Sequence, residues 1–179
     1  MENVTHINVF DFDETLFRVP GYTCSEAKGK SPYEWFDSPE SLSDRFNIRG
    51  IKNTIDKTKE DCHNVLITHR VSATKSRVME ILHENNLMFH EVHFLGRGSQ
   101  KADVVLDMIR DTDPKSITIF EDSLWEIICY TAYLLDSGIN GSGIDIVFYF
   151  VDKSKIVKID WETACLLESN AEVERLTIL

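Results

Sequence analysis

The chain has 179 residues, 42% of them apolar and 27% charged, enough for one hydrophobic core in a globular protein and with no demand for a second domain. Thirty acidic and 19 basic side chains give a formal net charge of −11, which opposes nonspecific binding to polyanions and requires any phosphate site to be local. No apolar run approaches the roughly 20 residues of a membrane span, the amino terminus lacks a basic-then-apolar leader, and Cys24, Cys62, Cys129 and Cys165 form no C-x-x-C pair, so a cytoplasmic protein with reduced thiols is expected.

The first predicted element, Val4 to Phe10, has the β-branched and aromatic content of a buried strand and ends abruptly in alternating carboxylates, Asp11-Phe12-Asp13-Glu14. Asp11 falls at the strand's carboxyl end and Asp13 on the turn leaving it, where open parallel sheets place their chemistry. Carboxylates two apart can converge on one metal-bound centre, one as nucleophile and the other as proton donor. A D-x-D pair alone says little: Asp111-Thr112-Asp113-Pro114 has the same spacing and reads as a helix-ending turn. A calcium loop of the EF-hand type would need Gly and Glu where this chain has Leu16 and Tyr22.

Arg18 to Phe46 is predicted to be irregular, broken by Pro20, Gly21, Gly29, Pro32 and Pro39. It holds Tyr22, Tyr33, Trp35 and Phe36 with Lys28 and Lys30, a set that suits a lid or a base-stacking loop, although packing is the commoner use of such aromatics. Ser38-Pro39 reads as a helix start. Gly50 to Glu60 is helix-like, and Asn64 to Thr68 is a second buried strand, ending in Thr68-His69-Arg70. A helix from Ser72 to Asn86 follows, with Val78, Ile81, Leu82 and Asn85 at helical spacing. Glu91 to Leu95 is a third strand, and around it His90 and His93 lie on opposite faces, which argues against a shared ion. Gly96-Arg97-Gly98-Ser99-Gln100-Lys101 leads into a helix with Ala102, Val105, Leu106 and Ile109 on one face. Ser99 is the expected cap, and Lys101 stands in a first turn where a cation is electrostatically misplaced. Ser116 to Phe120 is a fourth strand, ending in Glu121-Asp122. A helix with Trp125, Ile128, Cys129, Ala132 and Leu135 on one face comes next, and Asp145 to Val151 is a fifth strand. Lys155 to Ile159 and a last helix from Trp161 complete the chain.

Strands alternating with helices predict an α/β, doubly wound, Rossmann-like and mainly parallel sheet in one domain spanning residues 1–179, with a loop-rich insert at about 18–46. Crossover rules put the polar strand ends, namely Asp11 with Asp13, Thr68, the loop before Lys101, and Glu121 with Asp122, along one edge of the sheet.

These four segments, in this order, resemble the motifs of the haloacid dehalogenase (HAD) superfamily of phosphohydrolases: Asp11-Phe12-Asp13-Glu14-Thr15, Thr68 after Val65-Leu66-Ile67, Lys101, and Glu121-Asp122. Thr15-Leu16-Phe17-Arg18-Val19-Pro20 and Trp35-Phe36-Asp37-Ser38-Pro39 resemble segments of the HAD domain of Swiss Army Knife RNA repair proteins. Thr68-His69-Arg70 stands where that family usually has T-G-R. The resemblance implies a HAD fold with a small or absent cap and a Mg²⁺-dependent phosphohydrolase. Asp11 would form an aspartyl-phosphate, Asp13 would act as acid and base, and Thr68 and Lys101 would hold the phosphoryl group. Thr15, Arg70 and Arg97 would bind substrate. The metal would be held by Asp11, Asp13 through its backbone carbonyl, Glu121 and Asp122, with Asp122 favoured as the direct ligand of the last two. The implied substrate is a nucleic-acid end or a nucleotide. A small-metabolite phosphatase and a non-catalytic module that binds phosphorylated ends are the alternatives, and retention of both Asp11 and Asp13 disfavours the second.

Overall fold

The computed structural model describes residues 4–21, 27–139, 142–153 and 155–177, the side chains of 170–177 excepted. Tyr22 and Cys24 lie outside the described residues. Six strands form the main sheet: β1 (His6–Phe10), β4 (His63–Thr68), β5 (Glu91–Phe94), β6 (Ser116–Glu121), β7 (Asp145–Asp152) and β8 (Lys155–Ile159), in the spatial order β5-β4-β1-β6-β7-β8. All neighbours are parallel except β7 and β8. The sheet is thus doubly wound, as expected. Strand order reverses beside β1, so β1 and β6 flank the crevice where such sheets bind ligands.

The period-2 alternation of β1 divides its apolar residues between two cores. Ile7 and Val9 face the layer with α4 (Lys101–Thr112) and α5 (Leu124–Asp136), and Phe10 faces the layer with α3 (Lys75–Glu84). Phe10 stacks on Phe120 across the β1–β6 pair at 4.7 Å between centroids, and Phe120 stacks in turn on Tyr149.

Several local expectations are corrected. Lys155–Ile159 is a sixth sheet strand: it pairs antiparallel with β7, and Lys155 and Lys158 sit on an open edge, where they discourage further pairing. Gly50 to Glu60 is helical only over α2 (Lys52–Lys57), because Arg49–Gly50 is β3, paired antiparallel with β2 (Phe17–Arg18). The helix from Ser72 opens with one 3₁₀ turn, Ser72–Thr74, and ends at Glu84, leaving Asn85 exposed as its cap. Ser99 is one residue too early to cap α4; Gln100 is the cap and makes no side-chain capping bond. On α5 the buried face is Ile127, Tyr130 and Leu134, while Trp125 and Leu135 are exposed. That helix is apolar nearly all round, so periodicity alone chose the wrong stripe.

The irregular insert has more structure than its prolines suggest. The β2–β3 ribbon and the bond from Ile51 N–H to Leu16 C=O (2.7 Å) draw its ends together. Inside it, α1 (Pro32–Phe36) starts at a capping box between Ser31 and Glu34, and a 3₁₀ turn at Pro39–Leu42 starts at Ser38 as expected. Trp35 is completely buried, its Nε1–H donating to Pro20 C=O at 2.9 Å and its ring edge-on to Phe46. Lys30 lies over the Trp35 ring and pairs with Glu40 at 2.5 Å, so neither it nor Trp35 reaches the strand ends.

Trp35 is therefore the anchor of the insert. Trp35→Ala is expected to destabilise the protein by about 3–5 kcal/mol through cavity formation and loss of the indole bond, measured by urea unfolding; a loss under about 1 kcal/mol would show that the insert is not cooperative with the core.

Candidate active site

Asp11 follows the last residue of β1, and its N–H still bonds to Phe120 C=O at 3.1 Å, so the central strand aims it at the carboxyl edge. The turn after it is tight. Glu14 takes φ +56°, rare for a residue with a side chain, and is held there by Glu14 N–H to Phe17 C=O (2.8 Å) and by its carboxylate accepting from Val19 N–H (3.0 Å). That reversal carries the chain away after Asp13, which leaves Asp11 and Asp13 both lining the cleft.

The strand ends meet in one cleft of 770 Å³ that is lined by Asp11, Asp13, Thr68, Arg70, Arg97, Lys101, Glu121 and Asp122. Thr15 is not among its lining residues.

At its floor, Lys101 Nζ donates to Asp11 Oδ1 at 2.8 Å and to Glu121 Oε2 at 2.7 Å, all three side chains being under a tenth exposed. Burial alone would drive the proton off Lys101, but Asp11 and Glu121 outweigh it and hold the ammonium well above its ordinary range. The misplaced helix-start lysine of the sequence is thus the counter-ion of two buried acids. Thr68 is fully buried and its Oγ1 accepts from Arg70 N–H at 3.2 Å, which leaves its own hydrogen for a ligand.

Arg70 and Thr15, both expected at a substrate, hydrogen-bond to acids of the cleft. Arg70, 1% exposed, donates from Nε and Nη2 to both oxygens of Asp13 (2.6–3.1 Å) and from Nη1 to Phe36 C=O and Ser41 Oγ (both 2.9 Å). Its fork is engaged by protein groups, so it orients Asp13 and ties the insert to it. Burial raises the pKa of Asp13, against the opposing pull of Arg70. Thr15, also fully buried, donates from Oγ1 to Asp122 Oδ1 at 3.2 Å and so orients that acid. Both roles join residues far apart in sequence, and no local pattern could have disclosed them.

Asp11, Glu121 and Asp122 each bring one carboxylate oxygen within 4.8 Å of the others. Three hard oxygen donors suit Mg²⁺. Glu121 is engaged at both oxygens, by Lys101 and by Ser123 N–H (3.2 Å). Asp11 accepts from Lys101 and Asp122 from Thr15, one fixed donor each against two for Glu121, and Asp122 also hydrogen-bonds Glu121; Asp11 and Asp122 are thus the better candidates to hold an ion and Glu121 the support. The side chain of Asp13 is outside this cluster. Burial, with the neighbouring acids, pushes Glu121 up to about 7 and Asp122 up to about 9. Protons thus hold the cluster together where no cation does.

Sequence reasoning missed Asp37, Glu126 and the position of His69. Arg97, between two glycines in left-handed conformation (Gly96 φ +66°, Gly98 φ +83°), donates to Asp37 Oδ2 at 2.5 Å and lies over the Tyr33 ring. His69 sits between Gly96 C=O (3.2 Å) and Glu126 Oε1 (3.2 Å), and the bond to Glu126 raises its pKa.

Two outcomes follow from this geometry. Arg70→Met should cost about 3–5 kcal/mol, since it strands the Asp13 carboxylate in a half-buried place, whereas Ser41→Ala should cost only about 1 kcal/mol; equal and small losses in denaturant unfolding would remove Arg70 from its central place. For Glu121 and Asp122, folded pKa values raised above the unfolded carboxylate range mean that the cation-free native state holds extra protons, so the stability these two acids contribute is full below the unfolded carboxylate range and is lost as pH rises from there through about 7 and about 9. Mg²⁺ competes for the same oxygens. The rise in melting temperature on adding Mg²⁺ should therefore be larger at pH 8.5 than at pH 5.5, and an equal or absent shift at both would refute the cluster as a cation site.

No family model matches the sequence, and no curated protein matches it. Among solved structures, the HAD domain of the effector protein Lem4 from Legionella pneumophila superposes with a TM-score of 0.52 over 89% of this chain and 91% of that one, at 13% identity. A chain of the Pnkp1/Rnl/Hen1 RNA repair complex gives a TM-score of 0.45 at 10% identity, covering 84% of this chain but 44% of its own length. The six-stranded sheet, its strand order and the Lem4 superposition together give this chain the haloacid dehalogenase fold.

Proposed function

We propose that the protein is a Mg²⁺-dependent phosphomonoesterase that works through an aspartyl-phosphate. The observation that carries this reading is the pairing of Asp11, fixed by Lys101 at the end of the central strand, with Asp13, fixed by Arg70 two residues later. A module that only binds phosphate gains nothing from two acids that repel the anion. The motif resemblance adds a nucleotide or a nucleic-acid end as the substrate class.

In this reading Asp11 attacks phosphorus with one carboxylate oxygen, the bond from phosphorus to the leaving oxygen breaks, and Asp13 gives that oxygen its proton. Water then attacks the acyl phosphate, Asp13 takes up the water's proton, and the bond between phosphorus and the Asp11 oxygen breaks to release inorganic phosphate. Thr68 and the remaining N–H of Lys101 donate to the phosphoryl oxygens, and being buried and pre-aimed they need no reorganisation during transfer. Asp11 and Asp122 would hold the Mg²⁺ ion, with Glu121 behind them; when bound, the ion offsets the charge of the phosphoryl group and of the crowded acids.

Asp11→Asn keeps the shape and an oxygen for Lys101 but removes the nucleophile. Its turnover of a phosphomonoester that the parent hydrolyses is expected to fall by roughly three orders of magnitude or more with the melting temperature preserved, and chelation of divalent ions should abolish the parent's activity. Turnover within tenfold of the parent would defeat the covalent mechanism.

A further inference from the structure

The acids and Lys101 fill one end of the cleft, and the other end is built by side chains that the phosphoryl chemistry leaves unused. Tyr33 stands on α1, whose Trp35 is buried in the insert, so the same short helix anchors itself with one aromatic and exposes the other, 66% accessible, at the cleft wall. Arg97 reaches it from the loop after β5, with its guanidinium carbon 4.9 Å from the Tyr33 centroid and its side chain still 54% exposed. Asp37 holds Arg97 in that place at 2.5 Å. A cation stacked on an aromatic ring, steadied from the side and open to the cleft, is a surface on which a planar heteroaromatic ring stacks.

The charges around it limit what else the ligand carries. Seven carboxylates line the cleft against three permanent cations, Arg70, Arg97 and Lys101, and each of these cations already has a carboxylate partner. The remaining basic side chain of the cleft, His69, faces Glu126. A second phosphate beside the transferred one would meet Asp37 and Glu126 with no unspent cation among the described lining residues, which is the reverse of a surface that tracks a polyanion. The same two acids are well suited to accept hydrogen bonds from sugar hydroxyls or from the amino group of a base. The volume of 770 Å³ lies within the range of about 300–1,000 Å³ that holds one small ligand.

Building on the phosphomonoesterase reading, we propose that the Tyr33–Arg97–Asp37 wall is a leaving-group subsite and that the substrate is a single nucleotide, with its one phosphate at Asp11 and its base on the Tyr33–Arg97 stack. The class is thus a phosphomonoester whose leaving group is an uncharged nucleoside, in preference to a sugar phosphate that offers no ring to stack and to an oligonucleotide that brings further phosphates.

The test compares kcat/KM with Mg²⁺ for adenosine 5′-monophosphate, adenosine 3′-monophosphate, ribose 5-phosphate and a terminally phosphorylated hexanucleotide. One of the adenosine monophosphates is expected to exceed ribose 5-phosphate by about fivefold to a hundredfold, the span that base stacking supplies, and to exceed the hexanucleotide. Tyr33→Leu should lower the ratio of nucleotide to ribose phosphate by about tenfold with the melting temperature within a few degrees of the parent's. Equal rates on nucleotide and ribose phosphate, or a ratio unmoved by Tyr33→Leu, would overturn the stacking subsite. A preference for the hexanucleotide would overturn the single-phosphate assignment. Should none of the four be hydrolysed, the phosphomonoesterase reading itself fails, and titration of the unmodified protein with adenosine 5′-monophosphate and Mg²⁺ decides the subsite separately: binding weakened by Tyr33→Leu supports it, and no binding refutes it.

Discussion

A buried ammonium between two buried carboxylates holds this fold's chemistry in place. Taking any one of Lys101, Asp11 and Glu121 out of water alone would cost several kcal/mol, and together they are tolerable because each charge faces its opposite at under 3 Å. The three come from the start of α4, the end of β1 and the end of β6, so the interaction closes only when the sheet has its order and its crossovers. It also places the conspicuous acids where the doubly wound sheet opens, beside the reversal of strand order.

Arg70 repeats that logic one layer outward. Its fork spans the Asp13 carboxylate on one side and Phe36 C=O and Ser41 Oγ of the insert on the other, so Asp13 and the wall of the cleft share one support. A lysine could supply the charge but not the planar spread of donors that reaches Asp13, Phe36 and Ser41 together. The long segment after β1 is therefore part of the site's frame, although the regular pieces named among its described residues are short: a five-residue helix, a 3₁₀ turn and the two-residue strands at its base.

Much of the architecture was legible because the buried strands are short apolar runs that end in chemistry. Ile7 to Asp11, Val65 to Thr68 and Ile117 to Asp122 announce both a strand and what lies at its end. Illegible features were those set by partners distant in the chain. Nothing near Arg70 or Thr15 tells that their donors are consumed by Asp13 and Asp122, 57 and 107 residues away. The buried stripe of α5 was masked by apolar residues on nearly every side, and the edge strand β8 by its shortness and its two lysines. Trp35 and Tyr33, two residues apart on the same turn of helix, read alike in sequence, yet packing against Pro20 and Phe46 buries one and leaves the other open.

The excess of carboxylates in the cleft bears on how an acidic protein could handle an anion. At separations of about 4 Å a pair of like charges in a partly desolvated site repels by roughly 4 kcal/mol, so an arriving phosphate cannot be drawn by the side chains alone. Lys101, Arg70 and Arg97 are already neutralised by their own partners, and their net contribution to the field of the cleft is small. Attraction for a phosphate would then be concentrated at the cluster of Asp11, Glu121 and Asp122, the place a divalent cation would take. An anionic group at the far end of the cleft would meet Asp37 and Glu126 beside cations that those acids already pair, Arg97 and His69. On the reading proposed above, the acids that would disfavour a second phosphate are Asp37 and Glu126, which steady Arg97 and His69, and not the acids gathered at Lys101.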